Sequence, residues 1–194
     1  MGVDDEDLSV LPPKVRALVE DADRVHKILE EKSKNIWDLF VPSDFVPVWK
    51  TLQEVPRGSG FFLEWGSGLG TVALMAAALG FTAYGIDINP ELVQHSKEIA
   101  ARHDLNATFV VGTFFPAWYE DNPKAYDEDM RSYAAGEDGY DKLGLGLEDM
   151  DVIYVFPWPG EEAVLHDIFE RGARPGSHLI INHGHDGLKV TRHR

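Results

Sequence analysis

The sequence predicts an α/β protein built on one mostly parallel sheet with helices on both faces. Short apolar runs of strand length recur along it: Phe61–Glu64, Phe81–Asp87, "ATFVVGTF", "DMDVIYVFP" and "RPGSHLIIN". Segments with helical spacing separate these runs, and strand–helix alternation is the mark of parallel pairing through right-handed crossovers. The runs are apolar throughout and do not alternate with polar residues, so the strands should be covered on both sides.

Each element has a local reason. From 8 to 40 the chain reads as helical: Val15, Leu18, Val19, Val25, Ile28 and Leu29 recur at helical spacing after Pro12-Pro13, which fits a helix start. Pro42 and Pro47 interrupt "FVPSDFVPVWKTLQEV", leaving one helix from Val46 or Pro47 to Glu54 before the turn "PRGSG". After the first strand, "TVALMAAALG" is an alanine-rich helix stopped by Gly80. After the second, Asn89 caps a helix with Pro90 in its first position and a stripe of Leu92, Val93, Ile99 and Ala100. Between strands three and four, Ala117–Glu148 is rich in Asp, Glu, Tyr and Gly, including Trp118, Tyr119, Tyr126, Tyr133 and Tyr140. It reads as a solvated acidic insertion with one short helix, a lid being the alternative. "EEAVLHDIFERG" is amphipathic on Val164, Leu165, Ile168 and Phe169, and "LKVTRHR" is expected as a short antiparallel edge strand after "HGHDG".

Composition bounds the rest. With 194 residues, 44% of them hydrophobic, the chain suits one unit, read as a helical extension over 1–57 and a core over 58–194. Cys 0 excludes disulfides, thiolate nucleophiles and cysteine-based zinc sites. The opening "MGVDDEDLSV" has neither the basic nor the apolar part of a secretion signal, and Gly80 and Gly85 break the longest apolar stretch. A cytoplasmic protein with no membrane partner is therefore expected. Lys+Arg 18 against Asp+Glu 33 gives a net charge of -15, which repels a polyanion at long range, so a nucleic-acid partner is not expected.

The stretch "FLEWGSGLG" carries the functional reading. Ligands of open α/β sheets sit beyond the carboxyl ends of the strands where strand order reverses, and Gly66, Gly68 and Gly70 follow the first strand. Glycines there let backbone N–H groups approach a polar ligand, and Asp87, ending the second strand, can accept from two ribose hydroxyls. A nucleoside-containing ligand is expected. A dinucleotide fingerprint would need glycine where Thr71 stands; the spacing is G-x-G-x-G, with Glu64 two residues upstream. The plainer reading, a tight strand-to-helix turn, is weakened by the matching Asp87 and Asn89-Pro90.

In order and spacing, "FLEWGSGLG", "GIDINPEL", "FVVGTFF", "DVIYVFPWP" and "RPGSHLII" resemble the class I S-adenosylmethionine-dependent methyltransferases from about Phe61 to Ile181. The resemblance implies a Rossmann-like three-layer sandwich and S-adenosylmethionine as cofactor. It also implies that Glu64, Gly66, Ser67, Gly68 and Gly70 cradle the methionine part, that Asp87, Ile88 and Asn89 hold the ribose, and that Gly112, Thr113 and Phe114 flank the adenine. Many members have an acid at the position of Thr113, so adenine recognition would fall to its hydroxyl or backbone.

Methyl transfer is an in-line displacement that needs few catalytic groups. The acceptor end is expected at "FPWPGEE", where Pro157 stiffens the loop, Trp158 offers an aromatic wall and Glu161 or Glu162 can act as base. The opposing reading makes both glutamates first-turn residues that favour the helix dipole. His183, His185 and Asp186 of "NHGHDG" offer a base at the same edge, or only a solvated turn, and no metal is expected. The reading as a whole is an S-adenosylmethionine-dependent methyltransferase acting on a small molecule or protein side chain. Its rivals are a nicotinamide-dependent oxidoreductase and a non-catalytic nucleoside-binding module.

Overall fold

In the computed structural model, which describes residues 7–32, 41–56, 58, 60–119 and 136–194, the five expected strands form one sheet with the edge strand. These are β1 (Phe61–Trp65), β2 (Thr82–Asp87), β3 (Ala107–Val111), β4 (Val152–Val155), β5 (His178–Asn182) and β6 (Leu188–Arg192). Their order is β3-β2-β1-β4-β5-β6, all neighbours parallel except the antiparallel β5–β6 pair. Strand order reverses between β1 and β4, so the loops after these two strands open on one crevice.

Helices α1 (Pro13–Lys32), α2 (Phe45–Glu54), α3 (Thr71–Ala78) and α4 (Pro90–Arg102) share one core with Phe62, Ala83, Phe109, Val152, Tyr154 and Ile180 of the sheet. The other sheet face, with Leu63, Trp65, Ile153, Val155, Leu179 and Ile181, packs on α5 (Gly139–Leu143) and α6 (Glu162–Gly172). The three layers are those expected. The helical region breaks into a short 3-10 turn, Leu8–Val10, and α1, and the part over 33–40 lies outside the described residues. Helix α2 begins at Phe45, so Pro47 falls in its first turn, where no intrahelical N–H is lost. Asn89 caps α4 as expected, its side chain accepting from the N–H groups of Glu91 and Leu92.

One expectation fails in part. At the described ends of the acidic stretch Trp118 is 45% exposed, but Tyr119 and Tyr140 are core, buried beside Trp65 and Phe115. Trp65 Nε1 donates to the Tyr140 hydroxyl at 2.8 Å, and the Tyr119 hydroxyl donates to Asp167 at 2.9 Å. Burial of these rings outweighs the polarity of their neighbours. Tyr126 and Tyr133 lie outside the described residues.

Candidate active site

The crevice at the strand reversal holds a cavity of about 720 Å³. On one side the glycine loop enters it. Gly66, Gly68 and Gly70 all take positive φ, +64°, +52° and +71°, which only glycine adopts readily. Their partners differ, however. Gly66 and Ser67 line the cavity. Gly68 and Gly70 are not among the lining residues: Gly68 turns its N–H onto Asp87 Oδ2 at 2.7 Å, and a Cβ at Gly70 would overlap the ring of Phe109. The same ring explains Gly85, where a Cβ would stand 2.6 Å from it. So the expectation that all three loop glycines approach a ligand is corrected: Gly70 is glycine because Phe109, 2% exposed, packs against it.

Two buried acids fasten this end. Asp87 lines the cavity and accepts from the N–H groups of Gly68 (2.7 Å) and Asn89 (2.8 Å), tying the loop to the tip of β2. Burial pushes its carboxyl up, and those two donors pull it back down. Glu64 Oε2 accepts from Ala73 N at 2.8 Å, so it caps α3, whose N-cap residue Gly70 has no side chain to do so. Burial first, with repulsion from Asp87 behind it, pushes Glu64 up to about 8. Ser67 Oγ is buried with no hydrogen-bond partner among the described residues.

Beyond the tip of β2, Ile88 and Asn89 line the cavity, and Gly112, Thr113 and Phe114 continue the wall after β3. Thr113 keeps little backbone to offer, since its N–H donates to Glu137 O and its carbonyl accepts from Gly139 N, both at 2.9 Å. Its hydroxyl already accepts from Phe115 N at 3.2 Å, leaving the hydroxyl proton. Phe114 lies stacked on Trp65, centroids 5.4 Å apart.

On the far side, Pro157 and Trp158 line the cavity. Of the paired glutamates, Glu162 lines it and Glu161 does not: Glu161 is the buried N-cap residue of α6, one helical step away. His183, His185 and Asp186 are all in the wall. Among the described residues no group of three or more His, Cys, Asp or Glu could hold a metal ion. Sequence reasoning missed the roof, Val41, Pro42, Ser43 and Phe45, and the link beneath it. There the Tyr154 hydroxyl accepts from Asn182 Nδ2 at 2.9 Å and pairs with Ser43 Oγ at 2.7 Å, joining β4, β5 and the segment before α2. The only local signal was a tyrosine inside an apolar strand.

A six-stranded sheet in this order, with a cavity at its reversal, resembles the fold of the class I S-adenosylmethionine-dependent methyltransferases. No protein-family model matches the chain. It is similar to a 23S rRNA (uracil(747)-C(5))-methyltransferase of Pyrococcus horikoshii, at 28% identity over 116 residues, 56% of this chain and 25% of that protein. The chain thus spans about a quarter of the curated relative it matches. Among solved structures it resembles an RNA methyltransferase from Salinibacter ruber in complex with S-adenosyl-L-homocysteine (TM-score 0.51, 21% identity, 73% of this chain and 76% of that one). It also resembles a hypothetical protein of Thermus thermophilus (TM-score 0.53, 21% identity, 79% and 92%). The relative overturns one expectation, that net charge makes nucleic acid an improbable partner. A sequence similar to this one belongs to an enzyme named for its rRNA substrate, and whole-chain charge describes the distant field, not what a local site accepts. Among the described residues no helix is long and apolar enough to cross a membrane.

Proposed function

We propose that this chain binds S-adenosylmethionine in the cavity and transfers its methyl group to an acceptor entering beside Phe156–Pro159. One observation carries the reading: the glycine loop (Gly66, Ser67), the tip of β2 (Asp87, Ile88, Asn89) and the turn after β3 (Gly112, Thr113, Phe114) all line one cavity at the strand reversal. The charge of the wall supports the same reading, since Asp87 lines the cavity and no Lys or Arg does among the described residues. That wall suits a sulfonium cation and opposes a pyrophosphate. Moreover, the first turn of α3, where a dinucleotide phosphate would sit, is already capped by Glu64.

In this reading Ser67 and Gly66 hold the methionine part, Asp87 the ribose, and Gly112, Thr113 and Phe114 the adenine. The cofactor would supply an electrophilic methyl carbon. The chain's own part is to exclude water, align the acceptor and take its proton. Calorimetric titration with S-adenosylhomocysteine and with NAD tests the reading. Binding of the first alone is expected; binding of NAD, or of neither, would discard it.

A further inference from the structure

The cavity has four carboxylic acids in its wall, Glu64, Asp87, Glu162 and Asp186. The first two are tied to backbone donors at the glycine-loop end. The other two stand at the opposite end, with Trp158 and His183. Here an acidic edge meets an aromatic wall, a combination that attracts cations.

Two loops meet at this end because β4 and β5 are neighbours in the sheet. Glu162 is in the first turn of α6, and His183 follows β5 directly. The His183 turn is held by its own N–H, which donates to Gly187 O at 2.8 Å, and by Gly184 N, which donates to Asn182 Oδ1 at 2.9 Å. His183 Nδ1 lies 3.8 Å from Glu162 Oε1. A carboxylate on that side favours the proton on Nδ1 and leaves the lone pair on Nε2, the arrangement of a general base held by an acid. Nε2 makes no hydrogen bond among the described residues.

We propose that this end receives an amine as its ammonium ion, and that His183, oriented by Glu162, takes the proton the nitrogen must lose before it can be methylated. The proposal rests on reading the cavity as a methyl-transfer site. An ammonium has no lone pair to attack with. Its N–H bond gives up a proton to Nε2, and the electron pair of that bond remains on nitrogen. The nitrogen then forms a bond to the methyl carbon as the carbon–sulfur bond breaks, that bond's pair remaining on sulfur. His183 returns the proton to solvent. Glu162 takes no proton in this sequence and is a positioning residue. The other titratable groups facing His183 are His185 and Asp186 on its own turn and Tyr154, whose hydroxyl is held by Ser43 and Asn182.

The experiment begins with S-adenosylhomocysteine. If it does not bind the wild-type chain, the methyl-transfer reading fails by itself. With it bound at saturation, benzylamine, benzyl alcohol and uridine are titrated at pH 7. Benzylamine is expected to bind at least tenfold more tightly than the uncharged alcohol. Glu162→Gln should remove most of that preference while leaving S-adenosylhomocysteine affinity unchanged. Turnover of benzylamine gives a second readout: His183→Gln and Glu162→Gln should each lower kcat at least tenfold with S-adenosylhomocysteine affinity unchanged, and Glu162→Asp should restore part of the loss while His185→Gln leaves kcat unmoved. Equal binding of amine and alcohol, preference for uridine, or a kcat indifferent to His183 and Glu162 overturns the proposal.

Discussion

The two ends of the cavity are made of different material. At the glycine-loop end the wall is held by backbone donors, with Asp87 fastened to Gly68 and Asn89 and Glu64 fastened to Ala73, both acids being buried. At the β4–β5 end the wall is side chains on two loops, Phe156–Pro159 and His183–Asp186, with Glu162 and His183 partly open to water. A wall fixed by dihedrals and packing accepts one shape, whereas a wall of loop side chains can be recut residue by residue while the sheet stays intact. Damage at the first end should therefore remove fold and ligand together. Damage at the second should remove turnover alone.

The strongest test of that contrast is Gly70→Ala. With φ at +71° and Phe109 in the space of the new methyl, the substitution is expected to cost about 3 kcal/mol of folding stability in urea denaturation. Phe109→Leu in the same chain should return part of the loss. A fully stable single variant would mean that the loop is not over-determined. Next in size, Asp87→Ala should weaken S-adenosylhomocysteine by about 1–2 kcal/mol in calorimetry, the loss of a charge-assisted pair of hydrogen bonds. Unchanged affinity in a folded variant would take Asp87 out of the ligand end.

Glu64 tests the same end through pH. Burial raises its carboxyl from 4.5 to about 8, so between those values the folded chain keeps a proton that the unfolded chain releases. Unfolding free energy must then fall as pH rises through that window and level off above it. Glu64→Gln removes the titration. Its thermal midpoint without ligand should gain on wild type by a few degrees between pH 5 and 9, while a constant offset across that range would show that Glu64 does not titrate there. The smallest effect on the ligand belongs to the other end. Trp158→Ala should leave S-adenosylhomocysteine affinity unchanged and lower turnover about two- to fivefold, equivalent to a partly exposed cation–π contact of ~0.5–1 kcal/mol. Lost cofactor affinity would place Trp158 with the glycine loop instead.

The difference between the ends also decided what could be read from the sequence. The strands and α4 announce themselves locally: apolar runs mark the strands, and Asn89-Pro90 marks a cap that needs no distant partner. The glycine loop was legible as a loop but not glycine by glycine. Phe109, which requires Gly70, comes from another strand, so spacing alone cannot separate a glycine made for a ligand from one made for a ring. At the far end the choice between Glu161 and Glu162 is a rotation of about 100° around α6, fixed by how that helix lies on the sheet. Ser43, Tyr154 and Asn182 meet only because β1, β4 and β5 are neighbours and α2 lies above them. The acidic stretch misled for a related reason, because its polar residues outnumber the two rings, Tyr119 and Tyr140, that anchor its described ends.

Helix α3 has every residue from Thr71 to Ala76 buried, with β1 and β2 on one side and α1 and α2 on the other. An inner helix of this kind makes the amino-terminal helices the outer skin of the core. During synthesis α1 and α2 leave the ribosome before the surface they cover exists, and their apolar stripes must wait for β1 and α3. Cutting the chain at Gly58 would keep the glycine loop and the tips of all six strands. It would also uncover the face of α3 that α1 and α2 pack against, and such a fragment is expected to aggregate on expression. A self-supporting version of this protein is therefore expected to keep α1 and α2, although α1 ends before the first residue of the cavity.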